Sequence, residues 1–163
     1  MKKIFSAVVV LIATIASTVF VSCGSNNDDD KVNTQTVSIM LEPNDDVLTL
    51  FDISVVYTDG NGTTQTEALT GKFTKSFTVS KFPSTGTVSL KATPKSTITE
   101  GKYYPTINCT YQAGSLNRIS KLGGLAVNVS SKEDAQTYAD KKINSYKWTW
   151  NFLADGSVEK STI

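Results

Sequence analysis

An all-β, antiparallel fold is what this sequence predicts, and three observations predict it. Apolar and polar residues alternate over many short runs, as where Val37, Ile39 and Leu41 are interleaved with Ser38, Met40 and Glu42; this is the period-two signature of a half-buried strand. Clusters of turn-forming residues, Pro43-Asn44-Asp45-Asp46 and Asp59-Gly60-Asn61-Gly62 among them, punctuate those runs at the spacing usual for all-β chains. One stretch, opening at Ser130, carries a helical signature.

The elements follow in order. After the run from Val37 to Leu41, Phe51, Ile53, Val55 and Tyr57 share one face while Leu48 and Leu50 extend the apolar character to the other, which predicts a central strand with partial cover on its second face. Asp59-Gly60-Asn61-Gly62 tolerates the positive φ of a tight hairpin. Thr63 to Leu69 returns as a polar, threonine-rich edge strand. Phe73, Phe77 and Val79 mark the next strand, closed by Lys81 to Gly86; Val88, Leu90 and Ala92 mark another, ending near Pro94. Tyr103, Pro105, Ile107, Cys109 and Tyr111 then line one face of a run. Pro105 has no N–H for a ladder, so this strand lies at an edge or pairs only beyond that residue. Leu125, Val127 and Val129 alternate once more after Gly123-Gly124.

Ser130-x-x-Glu133 matches a capping box, and Glu133 and Asp134 sit where the helix dipole favours anions. Ala135, Tyr138, Ala139 and Ile143 fall on one face of the helix, with Lys141 and Lys142 in its last turn. A final strand alternates Tyr146, Trp148, Trp150 and Phe152 with Lys147, Thr149 and Asn151, and Asp155-Gly156 turns out of it into a loose tail. About eight strands with one short helix before the last strand make an immunoglobulin-like or transthyretin-like β-sandwich the expected arrangement. An up-and-down barrel is the alternative, disfavoured by uneven strand lengths and a helical connection.

The first thirty residues are of another kind. Lys2 and Lys3 precede an apolar run from Ile4 to Val21, then Ser22-Cys23-Gly24 and three consecutive aspartates, Asp28, Asp29 and Asp30. A basic start, an apolar stretch and a small residue before the cut are what secretion machinery reads. Phe20-Val21-Ser22-Cys23 resembles the bacterial lipoprotein signal, with Phe20 standing where that family prefers an aliphatic residue. The resemblance implies cleavage before Cys23 and acylation of its thiol and new amino group. Each buried methylene contributes about 0.8 kcal/mol, so several chains anchor where one holds only marginally. Gly24 to Asp30 resembles the acidic tag of Bacteroidetes-type surface-exported lipoproteins, which implies an outer-membrane lipoprotein displayed at the cell surface, with the periplasmic face as the alternative. The expected organisation is a signal peptide over 1–22, a lipidated, acidic, disordered tether over 23–34, a β-sandwich over 35–155 and a tail over 156–163.

Composition narrows the chemistry. The chain has 163 residues, 16 Lys+Arg against 15 Asp+Glu, two cysteines and no histidine. The length left after residues 1–22 suits one domain with a real core. Near-balanced charge without a basic run argues against a nucleic-acid partner. With Cys23 acylated, Cys109 has no disulfide partner within the mature chain. The absence of histidine removes the commonest general base and metal ligand, so Cys109 has no histidine to activate it and reads as a small core residue.

No cofactor is expected beyond the lipid on Cys23. Asp59-Gly60-Asn61-Gly62-Thr63 and Asp45-Asp46 offer oxygens of the kind calcium takes, but the former lacks the glycine and glutamate of a helix-loop-helix calcium loop and reads as a hairpin turn. Glu67, Asp52 and Glu100 show no spacing that marks a glycosidase pair. Trp148 and Trp150, with Tyr146 and Phe152, form either a stacking platform for sugars or the core of the sandwich. The core is the expectation, since burying such rings contributes roughly 1.5–3 kcal/mol each and no disulfide substitutes for it. The function expected is thus non-catalytic: a membrane-anchored module binding a glycan or an envelope protein. A structural subunit of a surface fibre comes second, since edge strands can pair with a neighbour. A small hydrolase comes last.

Overall fold

Two antiparallel sheets face each other across a continuous apolar core in the computed structural model, which describes residues 34–160. In chain order the elements are β1 (Gln35–Pro43), α1 (Asp45–Leu50), β2 (Phe51–Thr58), β3 (Thr64–Ala68), β4 (Phe73–Val79), β5 (Ser84–Pro94), β6 (Gly101–Tyr103), β7 (Thr106–Ala113), β8 (Leu116–Gly123), β9 (Val127–Val129), α2 (Lys132–Lys142), β10 (Lys147–Phe152) and β11 (Val158–Lys160). One sheet runs β4-β1-β7-β8, the other β11-β10-β5-β2-β3, and β6 pairs with β9 as a separate ribbon. The fold is an all-β sandwich with two helices.

Alternation sets which side chains meet in the middle. Val37, Ile39 and Leu41 of β1 and Ile107, Cys109, Tyr111 and Ala113 of β7 are buried on one inner face. Phe51, Ile53, Val55 and Tyr57 of β2, Val88, Leu90 and Ala92 of β5, and Trp148, Trp150 and Phe152 of β10 are buried on the other. Aromatic contacts tie the two sheets: Trp148 stacks on Tyr111 at 5.1 Å between ring centroids, and Tyr57 stacks on Phe77 at 6.0 Å. The expected hairpin joins β2 to β3, with Gly62 at φ 81°. Asp59 organises that turn, its carboxylate accepting from the N–H groups of Asn61 and Thr63, both at 2.9 Å, and from the Gln65 amide.

Several expectations give way to tertiary context. Asp45 to Leu50 is a helix, where turn residues and the start of a strand were expected. Asn44 caps it by accepting from Val47 N–H, the two aspartates sit in its first turn, and Val47 and Leu50 are buried one turn apart. So short an element shows too few periods to announce itself as helical. The run from Tyr103 to Tyr111 is broken at Pro105: β6 ends before it, and β7 pairs with β1 and β8 only beyond it. β8 was missed altogether, because its inward positions include Arg118 and Ser120 while Ile119 points outward. Leu125 precedes β9 in the connection from β8 and is exposed. The capping box is one residue later than expected, formed by Ser131 and Asp134. The described part of the segment after Gly156 is ordered: β11 pairs with β10 and becomes the sheet edge, so α2 precedes the penultimate strand rather than the last.

Candidate functional site

The two open edges of the sandwich are finished in opposite ways. At the β3/β4 edge an inward-facing Lys75 donates to Glu67 of β3 at 2.7 Å, and the Tyr57 hydroxyl donates to the same carboxylate. Those two bonds, Lys75 first, hold the Glu67 carboxyl below its usual range, and Glu67 first, then Tyr57, raise the Lys75 ammonium. The charge there is internally matched.

At the opposite side, where β8 faces the half of β10 that β11 leaves unpaired, it is not. Here β8, the last turn of α2 and the start of β10 enclose a groove of about 430 Å³, inside the ~300–1,000 Å³ typical of ligand clefts. Arg118 and Lys121 come to it from β8, Lys141 and Lys142 from α2, and Lys147 from β10. Tyr138, Tyr146, Leu122 and Leu125 supply apolar wall, and Ser145 adds a hydroxyl. Among the described residues the ion pairs are Glu42 with Lys72 and Glu67 with Lys75, so the five groove cations have no carboxylate within pairing distance.

Local structure fixes these positions. At the end of α2, Asn144 acts as a surrogate strand: its amide accepts from Ala92 N–H at 2.6 Å and donates to Ala92 C=O at 3.2 Å, docking the chain onto β5. Tyr146 N–H then bonds Ile143 C=O, and the chain turns into β10 with Lys147 at the rim. Opposite, β8 ends at Gly123, whose φ of 75° suits glycine. A side chain there would also meet the Pro105 carbonyl and stand 2.5 Å from the Tyr138 hydroxyl. Tyr138 donates to that carbonyl, tying α2 to the start of β7. The Gly123-Gly124 pair thus shapes the groove as a turn.

Behind the groove wall, Tyr146 stacks on Tyr111 and shares a hydrogen bond with Ser120 at 3.0 Å. Tyr111 is the one buried side chain among the described residues whose polar atom lacks a hydrogen-bond partner. Burial, with Cys109 and Tyr146 nearby, pushes its phenol far above the ordinary range. Burial also raises the Cys109 thiol, which fits a packed side chain and opposes thiolate chemistry.

The residues singled out from sequence fall as follows. Trp148 and Trp150 are 2% and 1% exposed, pack against one another with tilted rings 4.8 Å apart, and belong to the core, so they offer no platform to a ligand. Asp52 points outward between buried Phe51 and Ile53. Asp46 accepts from Tyr104 N–H at 2.6 Å, and the Asp59 carboxylate serves its own turn. Cys23, Asp28, Asp29 and Asp30 lie outside the described residues. The groove itself was missed: its cations are scattered from position 118 to 147, and nothing in their order along the chain brings them together. Lys141-Lys142 at a helix end was the one visible trace of it.

The chain matches no protein-family model, no curated protein and no solved structure.

Proposed function

We propose that this chain is a non-catalytic lipoprotein, anchored in the outer membrane through acylated Cys23 and displayed at the cell surface, whose β-sandwich binds a glycan or an envelope protein. The observation that supports binding is the groove between β8, α2 and β10, where five cations meet with no carboxylate among the described residues to pair with. Like charges gathered at one surface repel one another, and their summed potential attracts an oppositely charged partner. The anchor follows from the leader and Cys23, and display from the acidic run Asp28 to Asp30.

Two measurements test the reading. Cys23→Ser should abolish incorporation of radiolabelled palmitate and release the protein from membranes; unchanged labelling or retention refutes the lipid anchor. The purified full chain, applied to a glycan array and to isolated envelopes, should be retained by one of them. Retention by neither refutes the binding role.

A further inference from the structure

We infer that the groove between β8, α2 and β10 takes an acidic saccharide, a chain of carboxylated or sulfated sugars, an assignment that rests on the binding reading above and narrows it to one ligand class. Charge is the first argument. The same sandwich answers an inward lysine with a glutamate at its β3/β4 edge, yet no carboxylate among the described residues pairs with Arg118, Lys121, Lys141, Lys142 or Lys147 at the other. A ligand that brings its own anions completes what the chain leaves open.

Arg118 stands opposite Tyr111 in the β7–β8 register, on the inner side of the edge strand, and its planar fork suits the two oxygens of a carboxylate or sulfate. The four lysines are exposed and act as point charges along the rim.

Shape and lining make the second argument. The groove is concave, and two half-buried tyrosines, Tyr138 and Tyr146, line it with their rings braced from behind by Phe51 and Tyr111. Braced rings are rigid, amphipathic surfaces on which the C–H faces of sugars rest, while hydroxyls such as that of Ser145 meet the sugar oxygens. An anionic membrane would need a broad apolar face to bury, and of the groove's residues Leu125 alone is a strongly exposed apolar side chain. A nucleic acid fits the charge, but the export leader over residues 1–22 directs the domain away from cytoplasmic nucleic acid.

The test uses the purified full chain in detergent with five probes: polygalacturonate, dextran sulfate, neutral dextran, phosphatidylglycerol vesicles and a mixed-sequence single-stranded oligonucleotide. Polygalacturonate or dextran sulfate should bind, neutral dextran should not, and raising salt from about 0.05 to 0.5 M should weaken binding roughly tenfold or more. Lys141→Gln with Lys142→Gln should weaken it about tenfold with at most a small fall in melting temperature, since both side chains are exposed and lose only their favourable place at the end of α2. Lys81→Glu, on the β4–β5 connection away from the groove, should leave it unaltered.

Binding of neutral dextran that the charge removal does not touch overturns the acidic class while leaving the glycan-binding role intact. Tighter binding of vesicles or oligonucleotide assigns the groove to another ligand and overturns the inference. An equal loss in Lys81→Glu reduces the effect to net charge and overturns it as well. Indifference to all five probes, with retention by envelopes, overturns it in favour of a protein partner; indifference to envelopes and arrayed glycans too removes the binding role itself.

Discussion

Gly86→Ala adds one methyl group to the core and should destabilise the protein out of proportion to its size. Gly86 of β5 lies opposite Trp150 of β10 in the strand register. A Cβ built there falls inside van der Waals contact with Trp150 Cζ2 and Cε2, and 2.6 Å from Nε1, against the roughly 3.5–4.0 Å at which carbon atoms rest comfortably. The indole would have to recoil by about an ångström. It has nowhere to go: it is 1% exposed and packed at 4.8 Å on Trp148, which is stacked on Tyr111. The expected cost is at the upper end of the ~1–3 kcal/mol of overpacked cores, or roughly 10 °C in melting temperature for a domain of this length. The cause is isolated by a second change, Trp150→Leu, whose shorter side chain leaves room above position 86. Urea denaturation followed by circular dichroism on the parent, both single variants and the double variant should give a coupling energy of about 1–3 kcal/mol, the methyl being far better tolerated beside leucine. Additivity within about 0.5 kcal/mol, or a Gly86→Ala curve superimposable on the parent's, refutes the reasoning.

Two further outcomes follow from the charge and thiol geometry. Because Lys75 and Tyr57 hold the Glu67 carboxyl low, its contribution is full above its unfolded pKa of about 4.3 and fades as pH falls through the lowered folded value. Lys75, raised by Glu67, contributes fully below about 10.4 and loses that contribution as pH rises through its folded value. Glu67→Gln should therefore flatten the urea midpoint against pH at both the acid and the alkaline end; a profile parallel to the parent's through both windows refutes the coupling. Cys109 is fully buried with a raised thiol, so alkylation followed by mass spectrometry of the peptide that carries it should proceed only as the domain unfolds. Rapid alkylation under native conditions would place that side chain on the surface instead.

The strands with apolar inner faces were legible in the sequence, because burial on one side of a pleated strand imposes a period of two that survives in the residues themselves. β1, β2, β5 and β10 were read that way, and the rings of Trp148 and Trp150 were expected in the core, where they lie. The hairpin at Asp59 to Gly62 and the helix with Ala135 and Ala139 inward were legible for similar reasons: turn chemistry and helical spacing are local. The proposed leader, with Cys23 and Asp28 to Asp30, is also a pattern linear in the chain, of the kind that secretion machinery reads, and it lies outside the described residues.

What only the tertiary structure decided is what depends on neighbours distant in the chain. β8 escaped notice because it borders a solvated groove, so its inward positions include Arg118 and Ser120, and the apolar alternation that announces other strands is absent. β11 depends on pairing with β10, and α1 on the anchoring of Asn44 and Asp46 to the backbone of Tyr104 and Thr106. The cationic site is the clearest case. A near-neutral composition with no basic run argued only against a nucleic-acid partner, and Arg118, Lys121, Lys141, Lys142 and Lys147 become one surface only when Asn144 docks the end of α2 onto β5 opposite the edge strand. Electrostatic potential adds up through space, whereas sequence records only order along the chain.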